Sequence, residues 1–569
     1  MILRAPLTLV TAMLVSSRAG NANVRNLMRY GYIWLLLVTP RVLLAQDALP
    51  DAREAMNVIR PSAIEAHITF LADDLLEGRG TGTDGYLIAA KYVVAQLQAL
   101  GLEPAGDNGT YFQNVPFRHS EPSSDGSSVT LRRDGASAER LSEGEDFYVP
   151  GQMLRESSTV EARVVFVGFG VTAESEGYDD YRGVNVEGKL VALRRGAPAH
   201  FESSVRAYYS DNVVKARNAA SHGAVGIVTL WTPDAEAIFP WAVLGRFIRR
   251  GNVDWVGPDG APGTAVPQIR GTIVLGARGV ERLLSGSGMT AADLVEANEA
   301  TELPAALELT LSSRHRALSS PNVIARLEGS DPSLRHERVV FTAHVDHEGL
   351  GEPSDGDAIY NGALDNASGT AALLEVARAF ASLRERPRRS LLFIGTAAEE
   401  EGLLGAEYFA RNPTVPLETI VANINMDGSA SWYPPAEMIA YGSEHSTLGE
   451  IAQGAAAMLD LALVPDPAPE QVFFIRSDQY PFIKQGIPAI FFMVGRTSSD
   501  PSRDGEALFN HYLTQLYHTP HDELGQGLDF DACATIARLH FLVGYRVAQQ
   551  EGRPSWLPGD FFGERFGKN

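Results

Sequence analysis

The residue types able to hold a metal ion or move a proton gather in a few short stretches of the C-terminal half. His344 and Asp346 lie in "FTAHVD", Asp365 in "NGALDNASG", Glu399 and Glu400 in "FIGTAAEEE", Asp427 in "NINMDG", and Tyr517 and His518 in "LYHTPHDE". In "SLLFIGTAAEEEGLLGAEYF" an apolar run enters three consecutive glutamates, Glu399 to Glu401. Like charges repel, so such a cluster at the end of a buried strand needs a reason, either a solvated acidic turn or a metal and a water that use those carboxylates. Two histidines with three or more carboxylates suit two divalent metals, with one carboxylate shared between them. Imidazole mixed with carboxylate fits Zn²⁺, is compatible with Co²⁺ or Mn²⁺, and fits Ca²⁺ poorly. A second carboxylate beside a ligand can stay off the metal and serve as general base on an activated water. Adjacent Glu399 and Glu400 could divide those tasks.

The elements that must position these residues alternate after "SSPNVIARLEG". "RVVFTAHVD" reads as a strand and "SGTAALLEVARAFASL" as a helix with Ser368 at its N-cap. "SLLFIGTA", "TIVANINMD", "EMIAYG" and "IPAIFFMVG" read as strands. "LLGAEYFARN", "STLGEIAQGAAAML" and "DFDACATIARLHFLVGYRVAQ" read as helices. Alternating βα units predict an α/β fold, a mostly parallel mixed sheet with helices on both faces. Open sheets of this kind place their sites at the carboxyl ends of strands, where the residues above fall. Residues 59–104 read as helical around the bend "GRGTGTDG", which lacks the lysine and the following hydroxyl of a phosphate-binding loop. Residues 129–302 differ: short strands such as "ARVVFVGFGV", "GKLVALRRG" and "AVGIVTLW" alternate with turns, with a helix around "DNVVKARNAASHG". "GNVDWVGPDGAPGTAVP" reads as a long loop. This module holds no cluster of His, Cys or carboxylate.

Bulk composition narrows the function classes. The chain of 569 residues is 45% apolar and 21% charged, which is globular, and its net charge of −22 argues against nucleic acid as a partner. Cys533 is the lone cysteine, excluding an intramolecular disulfide framework and a cysteine-based zinc finger. At the N-terminus, Arg25 and Arg29 precede an apolar stretch ending in Leu43-Leu44-Ala45, the pattern of a signal peptide cleaved after Ala45. Pro40 and Arg41 break that stretch, so export is expected, with an uncleaved membrane anchor as the alternative. Once the leader is cleaved, no stable membrane insertion is expected.

"AHVDH", "GALDNASG", "AAEEEGLLGAEYF", "NMDG" and "YHTPHDE", in this order, resemble the M28 family of zinc aminopeptidases across residues 338–550. "GYDDYRGVNVEGKLVALRRGAP" resembles a protease-associated (PA) domain, which some members carry as an insertion. The resemblance implies a zinc-peptidase type of α/β fold, and with the leader the chain is expected to have five parts. These are a signal peptide (1–45), an N-terminal part of the peptidase domain (46–128), a mainly-β PA-like insertion (129–302), a catalytic domain (303–553) and a tail (554–569). It implies that His344 and Asp427 ligate one zinc, Glu400 and His518 the other, and that Asp365 bridges them. Asp346 would accept a hydrogen bond from His344, Glu399 would be the general base, and Tyr517 would donate to the oxyanion. Glu401 falls where the family varies and reads as solvated. The implied activity is removal of N-terminal residues from peptides or proteins. A carboxypeptidase using Arg476, Arg496 or Arg503, a glutaminyl cyclase-like transferase, and a receptor-like binding protein are the alternatives.

Overall fold

Strands covered on both faces are apolar along their whole length, and the C-terminal half supplies such runs. The computed structural model describes residues 49–567 except Asn298; the expected leader at 1–45 lies outside the described residues. The strands that carry the site are β1 (Phe112–Pro122), β2 (Asn252–Trp255), β3 (Thr301–Leu327), β4 (Arg338–His344), β5 (Ser390–Thr396), β6 (Ile420–Asn425), β7 (Glu437–Tyr441), β8 (Ala462–Val464) and β9 (Ala489–Val494). They pair in the order β2–β1–β3–β5–β4–β6–β9–β7–β8. The central four, β5–β4–β6–β9, are mutually parallel, and antiparallel strands flank them. This is the mixed, mainly parallel α/β sheet expected from the sequence.

Successive residues of the central strands pack on opposite faces. On one face Phe341 and Phe393 stack at 5.1 Å, against Phe380 of the helix Gly369–Ala381 and, through it, Phe541 of the helix Phe530–Gln549. On the other, Val340, Leu392 and Ile394 pack with Ala406 and Phe409 of the helix Leu404–Arg411 and with Phe482. Each such buried side chain stabilises the fold by ~1.5–3 kcal/mol relative to exposure.

Within residues 129–302, Ser157–Phe166, Leu190–Arg194, Gly226–Leu230 and Thr272–Leu275 run parallel in that order over a core that includes Val129, Phe147, Val164, Ile273 and Leu309. Strand β3 joins this sheet to the larger one. Its first part pairs with Ser157–Phe166 and Ser128–Arg132, and its later residues pair with β1 and β5. The 302/303 boundary thus falls inside a continuous strand. The stretch "GNVDWVGPDGAPGTAVP" is not all loop: β2 pairs with β1 at its start. Dense glycine and proline after it mask those four residues, of which Asp254 and Trp255 are buried. The C-terminal segment packs too, Phe562 entering a cluster with Val205 and Tyr209.

Candidate metal centre

Each parallel strand delivers its polar residues where its apolar run ends. His344 is the last residue of β4, Glu399 and Glu400 follow β5, and Asp427 follows β6. Asp365 sits in the bend before the helix Gly369–Ala381, and His518 in the turn after Tyr517. Ala398 and His518 hold φ of 56° and 54°, unusual for residues with a side chain and common where geometry serves a site.

The bends are tied to one another. Asn366 Oδ1 accepts from Gly369 N (2.9 Å) and Gly428 N (3.1 Å), while its Nδ2 donates to Met426 O (3.0 Å), fastening the Asp365 bend to the Asp427 bend. Asn366 therefore satisfies the helix start assigned to Ser368, whose hydroxyl instead donates back to Leu364 O at 2.7 Å. Gly369 is required by close approach, since a Cβ there would lie 2.1 Å from Met426 O. Asp522, fully buried, accepts from Leu364 N at 2.9 Å and Asp365 N at 3.0 Å. Beneath lies the buried guanidinium of Arg79, from the glycine-rich bend, donating to Val345 O, Asn361 O and Gly362 O at 2.9, 2.6 and 3.0 Å.

Asp365 stands between the two histidines. Its Oδ1 is 3.3 Å from His344 Nε2, and its Oδ2 is 3.2 Å from His518 Nε2. Asp427 Oδ1 lies 3.4 Å from His344 Nε2, and Glu400 Oε2 lies 3.2 Å from His518 Nε2. Both Nε2 atoms are buried without a hydrogen-bond partner among the described residues. Two ligand atoms on one tetrahedral ion with bonds of about 2.0–2.1 Å stand about 3.3–3.4 Å apart. These spacings and this donor set are ones that Zn²⁺ ligands adopt, and His344, Asp365 and Asp427 form one group able to hold an ion.

Electrostatics agree with sites built for cations. Burial opposes charge on His344, but Glu399, Asp427 and Asp365 outweigh it and hold the imidazole well above its usual value. His518 behaves likewise beside Glu400 and Asp365. Burial pushes Glu399 well up, with Asp427, Glu400 and Asp478 adding to it. Glu400 is drawn to about 2 because His518 and His347 outweigh its burial and the Asp365 charge. Burial, with Asp365 and Glu400 nearby, holds the Tyr517 phenol well above its ordinary value.

Asp346 departs from expectation. Its carboxylate lies 3.9 Å from His344 Nδ1, which faces the Asp346 backbone carbonyl at 3.2 Å. The carboxylate instead accepts from Glu399 N (3.2 Å) and Glu400 N (3.4 Å), because the chain after β4 turns it across to the end of β5. Three neighbours were not singled out from the sequence. His347 Nδ1 is 2.7 Å from Glu400 Oε1, Ser477 Oγ donates to Asp427 Oδ2 at 2.6 Å, and Glu348 Oε1 lies 3.4 Å from His518 Nδ1. The run "HVDHE" was the available signal for His347 and Glu348. Ser477 carried none, being 50 residues from its partner. Glu401 is exposed.

A cleft of about 550 Å³ opens from Asp365, Glu399, Glu400 and Asp427, walled by Trp432, Phe473, Phe491, Phe509 and Tyr512. Arg496 stacks on Phe509 (3.2 Å to the ring centroid). Arg476 lies over Phe473 (5.2 Å) and enters no salt bridge among the described residues. Arg503 is committed to Trp432 O at 2.5 Å.

Fold and site together define an α/β protein with a strand-end, carboxylate-and-histidine metal centre. Residues 322–543 match the profile of peptidase family M28. It is 26% identical over 418 residues to the probable glutamate carboxypeptidase AMP1 of Arabidopsis thaliana, covering 68% of this chain and 55% of that one. It is 34% identical over 131 residues to the aminopeptidase NAALADL1 of Mus musculus, covering 22% of this chain and 16% of the relative. The chain thus spans about half the length of the first relative and less of the second. Among solved structures, an aminopeptidase from Aneurinibacillus sp. strain AM-1 aligns with a TM-score of 0.51 and 20% identity, covering 90% of this chain and 99% of that one, a likeness of fold.

Proposed function

We propose that this protein is a di-zinc metallopeptidase that removes N-terminal residues from peptides. The observation that carries the reading is the placement of Asp365 between His344 and His518, with Asp427 and Glu400 completing two donor sets. His344, Asp365 and Asp427 would hold one ion; Asp365, Glu400 and His518 the other. Zinc there supplies Lewis-acid polarisation of the scissile carbonyl and acidifies the attacking water. Glu399 takes the proton of that water and passes one to the leaving amine. Its backbone N–H is held by Asp346, which fixes where the carboxylate can reach. Tyr517, kept protonated, donates to the developing oxyanion. The carboxylates crowding the cleft favour a free α-amine, and the aromatic walls favour an apolar side chain.

The carboxypeptidase reading has one specific observation in its favour: the unpaired Arg476 in the cleft, able to meet a terminal carboxylate. Peptides in free and N-acetylated pairs, incubated with the zinc-loaded protein and followed by mass spectrometry, decide between the two. Stepwise loss from free N-termini alone supports the aminopeptidase, and trimming of acetylated peptides from the other end establishes the alternative. Export rests on the leader-like sequence at 1–45; no helix among the described residues is long and apolar enough to cross a membrane. The PA-like insertion would govern access to the cleft.

A further inference from the structure

The PA-like insertion reaches the metal centre through an ion pair. Its helix Trp241–Arg250 ends on Arg250, whose carbonyl accepts from His119 Nε2 at 2.8 Å. The next residue, Gly251, has φ of 85°, and a Cβ there would lie 2.7 Å from Ser120 O, so the helix end is seated closely against β1. From this fixed point Arg250 Nη1 donates to Glu348 Oε2 at 2.6 Å, and Nη2 approaches the Glu348 carbonyl at 3.4 Å. The Glu348 side chain is 10% exposed, and its other oxygen faces His518 Nδ1 at 3.4 Å. The opposite ring nitrogen, Nε2, is the one aimed at Asp365 and Glu400. Three side chains from three distant segments therefore form one line ending at a ligand position.

An imidazole that gives one nitrogen to a metal must hold its proton on the other, and a carboxylate there fixes the tautomer and the ring plane. Glu348 has the position for that task but stands near the like charges of Glu400 and Glu401. The Arg250 guanidinium offsets them. We propose that Glu348, held by Arg250 of the insertion, is the positioning residue for His518, so that the insertion sets the metal affinity of the Asp365–Glu400–His518 site. The His344 site is independent of this line, since His344 Nδ1 faces the Asp346 carbonyl instead. The inference rests on the reading of His518 as a metal ligand.

The test is zinc titration of the full chain against a chromophoric chelator, with Co²⁺ absorption spectra as a second readout, on wild type, Glu348→Gln, Arg250→Met and Arg250→Lys. Thermal midpoints of the metal-free proteins report folding. The expected result is two zinc equivalents in wild type, one of them weakened about 10–100-fold in Glu348→Gln and Arg250→Met. The other equivalent and the metal-free midpoint stay unchanged, and Arg250→Lys recovers part of the loss. Two equivalents of wild-type affinity in Glu348→Gln would overturn the proposal. So would equal weakening of both equivalents together with a lower metal-free midpoint, which marks a merely structural pair. A wild type that takes up no zinc would overturn the metal reading itself, and this proposal with it.

Discussion

Asp522 supports the shared ligand without touching a metal position, and removing it tests whether the Asp365 bend is preorganised. Its carboxylate accepts from Leu364 N (2.9 Å) and Asp365 N (3.0 Å) and from Gln526 Nε2 (2.5 Å), with no solvent exposure. Asp522→Ala leaves two buried backbone donors without acceptors, at about 1–3 kcal/mol each, and relieves the desolvation of one carboxylate. The net expectation is a loss of about 2–4 kcal/mol from the metal-free protein. Because the freed bend carries the residue common to both sites, both zinc equivalents should weaken about 10–100-fold. Asp522→Asn keeps one carbonyl oxygen and should lose about half as much stability. The assays are urea denaturation of the metal-free forms and zinc titration against a chromophoric chelator. Unchanged affinities with an unfolding free energy within about 0.5 kcal/mol of wild type would refute the argument.

Glu399→Gln should lower kcat about 10²–10⁴-fold on a free-amine peptide while zinc stoichiometry stays at the wild-type value, since the base is separate from the donor sets; steady-state kinetics with metal analysis check this. Gly369→Ala should weaken zinc binding, because the added Cβ meets Met426 O at 2.1 Å and pushes the Asp365 and Asp427 bends apart; the same titration reads it. Burial pushes Lys215 down to about 7, with Arg195 and Arg194 adding to the shift and Asp180 opposing it. The unfolded chain holds this proton up to about pH 10.4, so Lys215 costs stability below pH 7, and the cost fades as pH rises from 7 towards that value. Lys215→Met should therefore be more stable than wild type at pH 6, by up to about 5 kcal/mol less the lost bond to Arg194 O. The advantage should shrink by pH 10, and parallel stability curves in urea denaturation from pH 6 to 10 would contradict this.

The parallel core was legible because burial on both faces forces unbroken apolar runs, as in β5, and such runs end where polar residues must have a purpose. His344, Glu399, Glu400 and Asp427 stand out that way as candidates, Asp365 and His518 lie in a loop and a turn beyond, and the ligand set itself is what the resemblance implies. What escaped was pairing between distant segments. β3 reads locally as ordinary alternation, and nothing in its sequence says that it leaves one sheet for another. β2 hides in a stretch dominated by glycine and proline, and its pairing with β1 is set by residues more than a hundred positions away. The resemblance implies that the Asp346 carboxylate accepts from His344, whereas backbone direction after β4 sends it to the Glu399–Glu400 amides. Arg250 and Glu348 lie 98 residues apart, and only the fold brings them together.

The most direct test of the central claim, two zinc ions sharing Asp365, is anomalous diffraction at the zinc edge from crystals of the zinc-loaded protein. The account predicts two peaks, one enclosed by His344, Asp365 and Asp427 and the other by Asp365, Glu400 and His518. A single peak, or peaks that do not flank Asp365, would contradict it.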